Sequence, residues 1–216
     1  MEVRILFDNE AETGYKKGWG FSCLVGDSLL FDVGANADTL LHNLRKSNVD
    51  FEAIDKVFLS HAHADHVGGI GILKYLGPVR VYMPDSFSSA FVQGLSEFGN
   101  VTPIKIKGRE KIDDGLYSTG ELGDIVKEQS LVVETGNRLV LVVGCSHPGV
   151  DVILNEARRY GDVKGIIGGF HDFSRIEELR GLEIISACHC TAFKKEIKLL
   201  YSMAHRDCRA GSTIHV

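Results

Sequence analysis

The segment His61-Ala62-His63-Ala64-Asp65-His66 follows directly on the apolar run Val57-Phe58-Leu59-Ser60. Three imidazoles and a carboxylate within six residues, delivered by the end of a buried strand, are brought to one spot at a sheet edge. Two residues apart, His61 and His63 face the same way and suit one ion, while Asp65 and His66 turn toward a second. Imidazole and carboxylate donors suit zinc, iron or manganese, and no nearby cysteine pair argues for a closed structural zinc site. A surface patch of histidines is the competing reading and carries little weight. The cluster points to a metalloenzyme.

The rest of the chain agrees with a soluble enzyme. Its 216 residues, 44% of them hydrophobic, suffice for a real core, and one domain over 1–216 is the expectation. A net charge of −5 argues against a nucleic-acid platform built on broad basic attraction. An anionic small-molecule substrate stays open, because two bound cations make a cleft locally positive. The cysteines Cys23, Cys145, Cys188, Cys190 and Cys208 form an odd set without a C-x-x-C pair. A secreted disulfide framework is therefore not expected, and a reducing cytoplasm is the simpler setting. Met1–Asp8 reads as a first strand rather than a leader, and no apolar run approaches a membrane span. Oligomeric state is not readable.

Strands are expected at Val3–Phe7, Phe21–Val25, Leu29–Val33, Val57–Leu59 and Val79–Met83. A hairpin through Gly136-Asn137 should join Leu131–Val133 to Leu139–Val143, with further strands at Val163–Ile167 and Ile184–Ala187. Short strands and turns fill 104–117, and Thr213–Val216 closes an edge. Helices are expected after Asp38 and Ser86 as caps, after His66, from Val150 to a Gly161 terminus, behind a Ser174/Glu177 capping box, and from Ala192 to Ala204. The last of these should bury Phe193, Ile197, Leu200 and Tyr201. Polar clusters repeatedly stand where apolar strands stop, as in α/β scaffolds that build a site from loops.

Three more strand ends carry histidine: His147 in Gly144-Cys145-Ser146-His147-Pro148-Gly149, His171 in Gly168-Gly169-Phe170-His171, and His189 in Cys188-His189-Cys190. Two of them would complete the six ligands of a two-metal site and leave positions for water and substrate. His147 and His189 are favoured; His171 is balanced between ligand, substrate contact and structural residue. His42, His205 and His215 read as ordinary surface groups. Asp32, before Val33-Gly34, is either an acceptor for a ligand N–H or a turn residue. Cys145 is open between thiolate ligand and small buried hydrophobe, and Cys188 and Cys190 lean to the latter.

The stretch Ser60-His61-Ala62-His63-Ala64-Asp65-His66-Val67-Gly68-Gly69, with Asp32-x-Gly34 upstream, resembles the H-x-H-x-D-H hallmark of the metallo-β-lactamase superfamily. That resemblance implies an αββα sandwich of two mixed sheets with helices outside and metals at one edge. Asp8-Asn9, Gly20-Phe21-Ser22, Glu128-Gln129-Ser130-Leu131, Gly144–Gly149, Gly168–His171 and Cys188–Thr191 occur in the order of a narrower subgroup. It resembles the archaeal 7,8-dihydropterin-6-methyl-4-(β-D-ribofuranosyl)aminobenzene 5′-phosphate synthases and their bacterial relatives. By this analogy His61, His63 and His147 would hold one metal, Asp65, His66 and His189 the other, and Asp32 would buttress the histidines. Two departures stand out: Cys145 lies where the usual bridging aspartate is expected, and the region before Glu128 is shorter than in the synthase.

The expected chemistry is hydrolysis of a small phosphorylated or ester substrate. Two divalent ions, zinc first and iron or manganese as alternatives, would supply a bound hydroxide, with Asp65 orienting it and His171 contacting substrate or donating a proton. Two other functions compete. One is a transferase that condenses a dihydropterin-methyl diphosphate with a ribofuranosyl-aminobenzene phosphate. The other is a non-catalytic, metal-stabilised binding module.

Overall fold

A computed structural model describes residues 1–216. The first half builds strands β1 (Glu2–Phe7), β2 (Ser22–Val25), β3 (Leu29–Phe31), β4 (Lys56–Phe58), β5 (Val79–Pro84) and β6 (Val101–Ile106). The second half builds β7 (Glu110–Asp113), β8 (Leu116–Ser118), β9 (Leu131–Thr135), β10 (Arg138–Val143), β11 (Val163–Gly169) and β12 (Ile184–Cys188), and β13 (Thr213–His215) returns to pair with β1. One sheet runs β13-β1-β2-β3-β4-β5-β6 and the other β12-β11-β10-β9-β8-β7. Both are mixed: β3 to β6 are parallel and β1 to β3 antiparallel, while β10 to β12 are parallel and β7 to β10 antiparallel.

Three apolar clusters set the layers. Alternation along the strands sends Phe21, Phe31, Phe58, Val142 and Ile167 into the space between the sheets. The opposite face of the first sheet, with Leu6, Leu30 and Val57, packs beneath helix α1 (Ala37–Lys46) through Leu40 and Leu44. The outer face of the second sheet, with Leu141 and Ile166, is covered by α4 (Val150–Ala157) through Ile153 and Leu154. The remaining helices are α2 (Ala64–Val67), α3 (Ser89–Ser96) and α5 (Lys194–Leu200). The result is the expected four-layer αββα sandwich. No helix is long and apolar enough to cross a membrane.

Several local expectations change. Asn36 rather than Asp38 caps α1, its side chain accepting the Thr39 N–H, and Ser88 rather than Ser86 caps α3. The stretch after His66 is one turn of α-helix followed by a 3₁₀ segment, Ile70–Tyr75; Gly68, Gly69 and Gly71 weaken regular helix there. The expected capping box gives only a 3₁₀ turn, Ile176–Leu179, without a side-chain cap. The helix from Val150 stops at Ala157, short of Gly161. Helix α5 is shorter than expected and leaves Leu200 exposed while Ile197 is buried. Cys188 and Cys208 are joined by a disulfide, which the odd cysteine count gave no reason to expect.

Candidate metal centre

The carboxyl ends of β1, β3, β4, β10, β11 and β12 open on one edge of the sandwich. They deliver Asp8, Asp32, His61 to His66, Cys145 to His147, His171 and His189 in turn. Asp32, Ser146, His171 and His189 all adopt left-handed backbone angles, with φ of 49°, 60°, 47° and 43°. Such angles are rare away from glycine and are held here where strands break into the site.

The hydrogen bonds assign a tautomer to the rings of His61, His66, His147 and His189. His66 Nδ1 donates to Asp32 Oδ2 at 2.6 Å, so its Nε2 presents a lone pair, 3.1 Å from Cys145 Sγ. His189 Nδ1 donates to Asn9 Oδ1 at 3.0 Å, and its Nε2 lies 3.1 Å from Asp65 Oδ2. His147 Nδ1 donates to Glu128 Oε2 at 2.8 Å. His61 Nδ1 meets Ser60 Oγ at 2.9 Å, and the Ser60 hydroxyl is itself donated to Asp32 Oδ2 at 2.7 Å. His61 Nε2 then faces His63 Nδ1 at 3.1 Å. Each outer partner fixes a ring and turns its free lone pair inward, the arrangement expected around metal-ligating imidazoles.

Two trios predicted from the sequence are thus brought together: His61 with His63 and His147, and Asp65 with His66 and His189. The donor atoms of each lie within 4.8 Å of one another. Lone pairs facing lone pairs or a carboxylate are repulsive unless a cation or proton lies between them, so the donor set fits divalent ions. Burial holds the His61 and His66 imidazoles neutral, bringing each down to about 3. Burial opposes ionisation of Glu128, but the hydrogen bond from the His147 ring and the backbone N–H groups of His147 and Ser146 outweigh it and bring the carboxyl down to about 2. Burial pushes Asp32 up to about 7 against its Ser60 hydrogen bonds. With no cation between them, a proton bridging His189 Nε2 and Asp65 Oδ2 holds the Asp65 carboxyl well below the usual range.

His171 stands outside both trios. Its side chain is 49% exposed, its Nδ1 lies 3.2 Å from Asp172 Oδ1, and its ring centroid is 5.2 Å from that of His147. It borders a pocket of about 240 Å³ shared with Ser146, His147, Phe170 and Phe173. His42 contacts the Gly14 carbonyl and His215 pairs with Glu2, both remote from the site. His205, expected at the surface, is largely covered, with 13% of its side chain exposed beside Asp207.

Sequence reasoning assigned no role to Glu128, although it stands in a quoted motif. Its buried carboxylate accepts the backbone N–H groups of Cys145 and Ser146, both at 2.9 Å, and of His147 at 3.0 Å, as well as the His147 ring. Asp8 was also unassigned; it accepts the His189 N–H at 2.8 Å. Trp19, 62% exposed, sets its ring 4.9 Å from that of His189. The usable signal was an acid at the end of β1 and another just before β9, each preceding a polar residue inside an apolar context.

The chain is similar to known proteins in sequence and in fold. An uncharacterized protein of Methanocaldococcus jannaschii, MJ0448, is 27% identical over 91% of this chain and 93% of its own length. The 7,8-dihydropterin-6-methyl-4-(beta-D-ribofuranosyl)-aminobenzene-5′-phosphate synthase of the same organism is 27% identical over 78% of this chain and 76% of its own. The crystal structure of Tm1679, a metal-dependent hydrolase of the beta-lactamase superfamily, superposes with a TM-score of 0.81 at 28% identity, covering 100% of this chain and 99% of that one. The family model of the metallo-beta-lactamase superfamily matches residues 23–162, and the chain belongs to that superfamily.

Proposed function

We propose that this protein is a metal-dependent hydrolase acting on a small phosphorylated or ester substrate. The observation that carries the reading is the inward convergence of imidazole lone pairs and the Asp65 carboxylate at an open sheet edge, with His61, His66, His147 and His189 each fixed from behind by an outer hydrogen bond. In this reading His61, His63 and His147 hold one divalent ion and Asp65, His66 and His189 a second, with zinc first among the candidates. Such ions supply Lewis acidity and lower the pKa of a coordinated water toward ~7.

The chain's own residues do the rest. Asp32 and Glu128 keep protons on the outer nitrogens of His66 and His147, so the inner nitrogens stay available. Asp65, ionised and partly solvent-open, orients the attacking water as well as binding. His171, exposed beside His147, is placed to contact the substrate or to protonate its leaving group. The exposed rim leaves a small molecule free access.

A second reading, group transfer with release of diphosphate, rests on the likeness to the synthase. Metal analysis combined with a panel of phosphodiesters, phosphomonoesters, lactones and thioesters tests the first. We expect about two divalent ions per chain and turnover of at least one ester class that chelation abolishes. Diphosphate release seen only with an aminobenzene co-substrate would select the second reading. Bound metal that affects folding alone, with every substrate blank, would leave a binding module.

A further inference from the structure

Cys145 and Cys190 are the two thiols that the imidazole and carboxylate set leaves unused. Cys23 and Cys188 pack into the apolar space between the sheets, whereas Cys145, although 3% exposed, belongs to none of the three apolar clusters. Its Sγ lies instead 3.1 Å from His66 Nε2, the nitrogen whose lone pair faces inward. The sulfurs of Cys145 and Cys190 lie within 4.8 Å of one another and of a ring nitrogen of His189. Cys145 Sγ makes a second such group with His61 and His66.

The backbone is built to allow this approach. Cys145 follows β10 and Cys190 follows β12, so the two sulfurs reach each other across the end of β11. That end is Gly169, where a Cβ would stand 2.7 Å from Cys190 Sγ and 2.6 Å from the Gly144 carbonyl. Any side chain there would displace Cys190. On the other side, the Glu128 carboxylate accepts the Cys145 N–H and fixes the loop that carries the sulfur. The two thiols are therefore held against the imidazoles of His61, His66 and His189.

We propose that Cys145 and Cys190 supply a sulfur arm to the metal centre, Cys145 as the donor shared between the two trios and Cys190 on the His189 side. The arm makes the position around Asp65, His66 and His189 a mixed nitrogen, oxygen and sulfur site, selective for a thiophilic cation such as zinc over manganese. Binding releases one proton from each thiol that ligates, and no oxidant is involved. The inference rests on the hydrolytic reading only in assuming that the cluster binds divalent ions.

Cobalt(II) tests it by a signal independent of turnover. The full-length protein, stripped with chelator and reloaded with cobalt to saturation, should show a thiolate-to-cobalt charge-transfer band in the near ultraviolet. C145S and C190S should each weaken the band and the double variant abolish it, while C23S leaves it unchanged. Zinc-over-manganese preference, measured by competition, should fall about tenfold in the double variant, within the 10–100-fold range typical of perturbed metal surroundings. Should the variants misfold, the wild-type spectrum still decides. Two bound cobalt ions without the band would overturn the sulfur arm and leave the hydrolytic reading standing. A protein that binds no divalent ion would overturn both, and a Cys145–Cys190 disulfide in the loaded protein would overturn the arm alone.

Discussion

Replacing Glu128 by glutamine keeps the shape of the side chain and exchanges one acceptor oxygen for an NH₂ group. In the native arrangement Oε1 accepts the N–H groups of Cys145 and Ser146, and Oε2 accepts the N–H and the ring Nδ1–H of His147. Whichever way the amide is turned, its NH₂ faces two donors. Hydrogen bonds to a charged acceptor are worth about 1.5–3 kcal/mol each, so losing two costs about 3–6 kcal/mol. That is a large part of the 5–15 kcal/mol typical of a folded domain. His147 can recover one bond by moving its proton to Nε2, but the inner lone pair is then lost. E128Q should therefore lose at least about 1.5 kcal/mol in urea unfolding of the chelated protein, and metal analysis should show the ion at His61, His63 and His147 depleted. A variant within about 1 kcal/mol of wild type that keeps its full metal content would refute the reasoning.

Other outcomes follow from the same geometry. D32N keeps a residue type that tolerates the φ of 49° but replaces an acceptor of the Ser60 and His66 donors, so metal affinity should fall about 10–100-fold. Isothermal titration with zinc measures it, and unchanged affinity would deny Asp32 its buttressing role. G168A places a Cβ against the Val143 carbonyl at a φ of 135° and should cost about 1–3 kcal/mol in urea unfolding. In chelated protein, His61 and His66 sit near 3 when folded against an ordinary 6.5, so the unfolded chain binds protons first and stability falls as pH drops from 6.5 toward 3. Asp32, raised from 3.8 to about 7, opposes this by one proton over that interval, and Glu128, lowered from 4.5 to about 2, adds to the loss below 4.5. Net stability should thus decline from neutrality to mild acid; urea midpoints that rise over that range would contradict the sign.

The sheets and the first cluster could be read from the sequence because their determinants are local. Val57-Phe58-Leu59 alternates or runs apolar as a buried strand must, and the histidines stand in one continuous segment. Helix ends were less readable: Asp38 and Ser86 carry the right chemistry for caps, yet Asn36 and Ser88 lie where the chain actually turns. Glu128 was unreadable for another reason. Its role depends on β9 lying beside β10, which places a residue before one strand under the loop after its neighbour, a contact between positions 17 to 19 apart. Cys190 is the same case at greater reach. Its meaning depends on β11 separating it from Cys145 and ending in a residue without a side chain.

The inward nitrogens come from both sheets: His61, His63 and His66 hang from β4, while His147 and His189 hang from β10 and β12. The spacing of the donors therefore reports how the two sheets are aligned across Phe31, Phe58, Val142 and Ile167. A cation bound by those donors would clamp the halves of the sandwich to each other. Repacking that distant interior would be felt as altered ion affinity, without a single donor being touched.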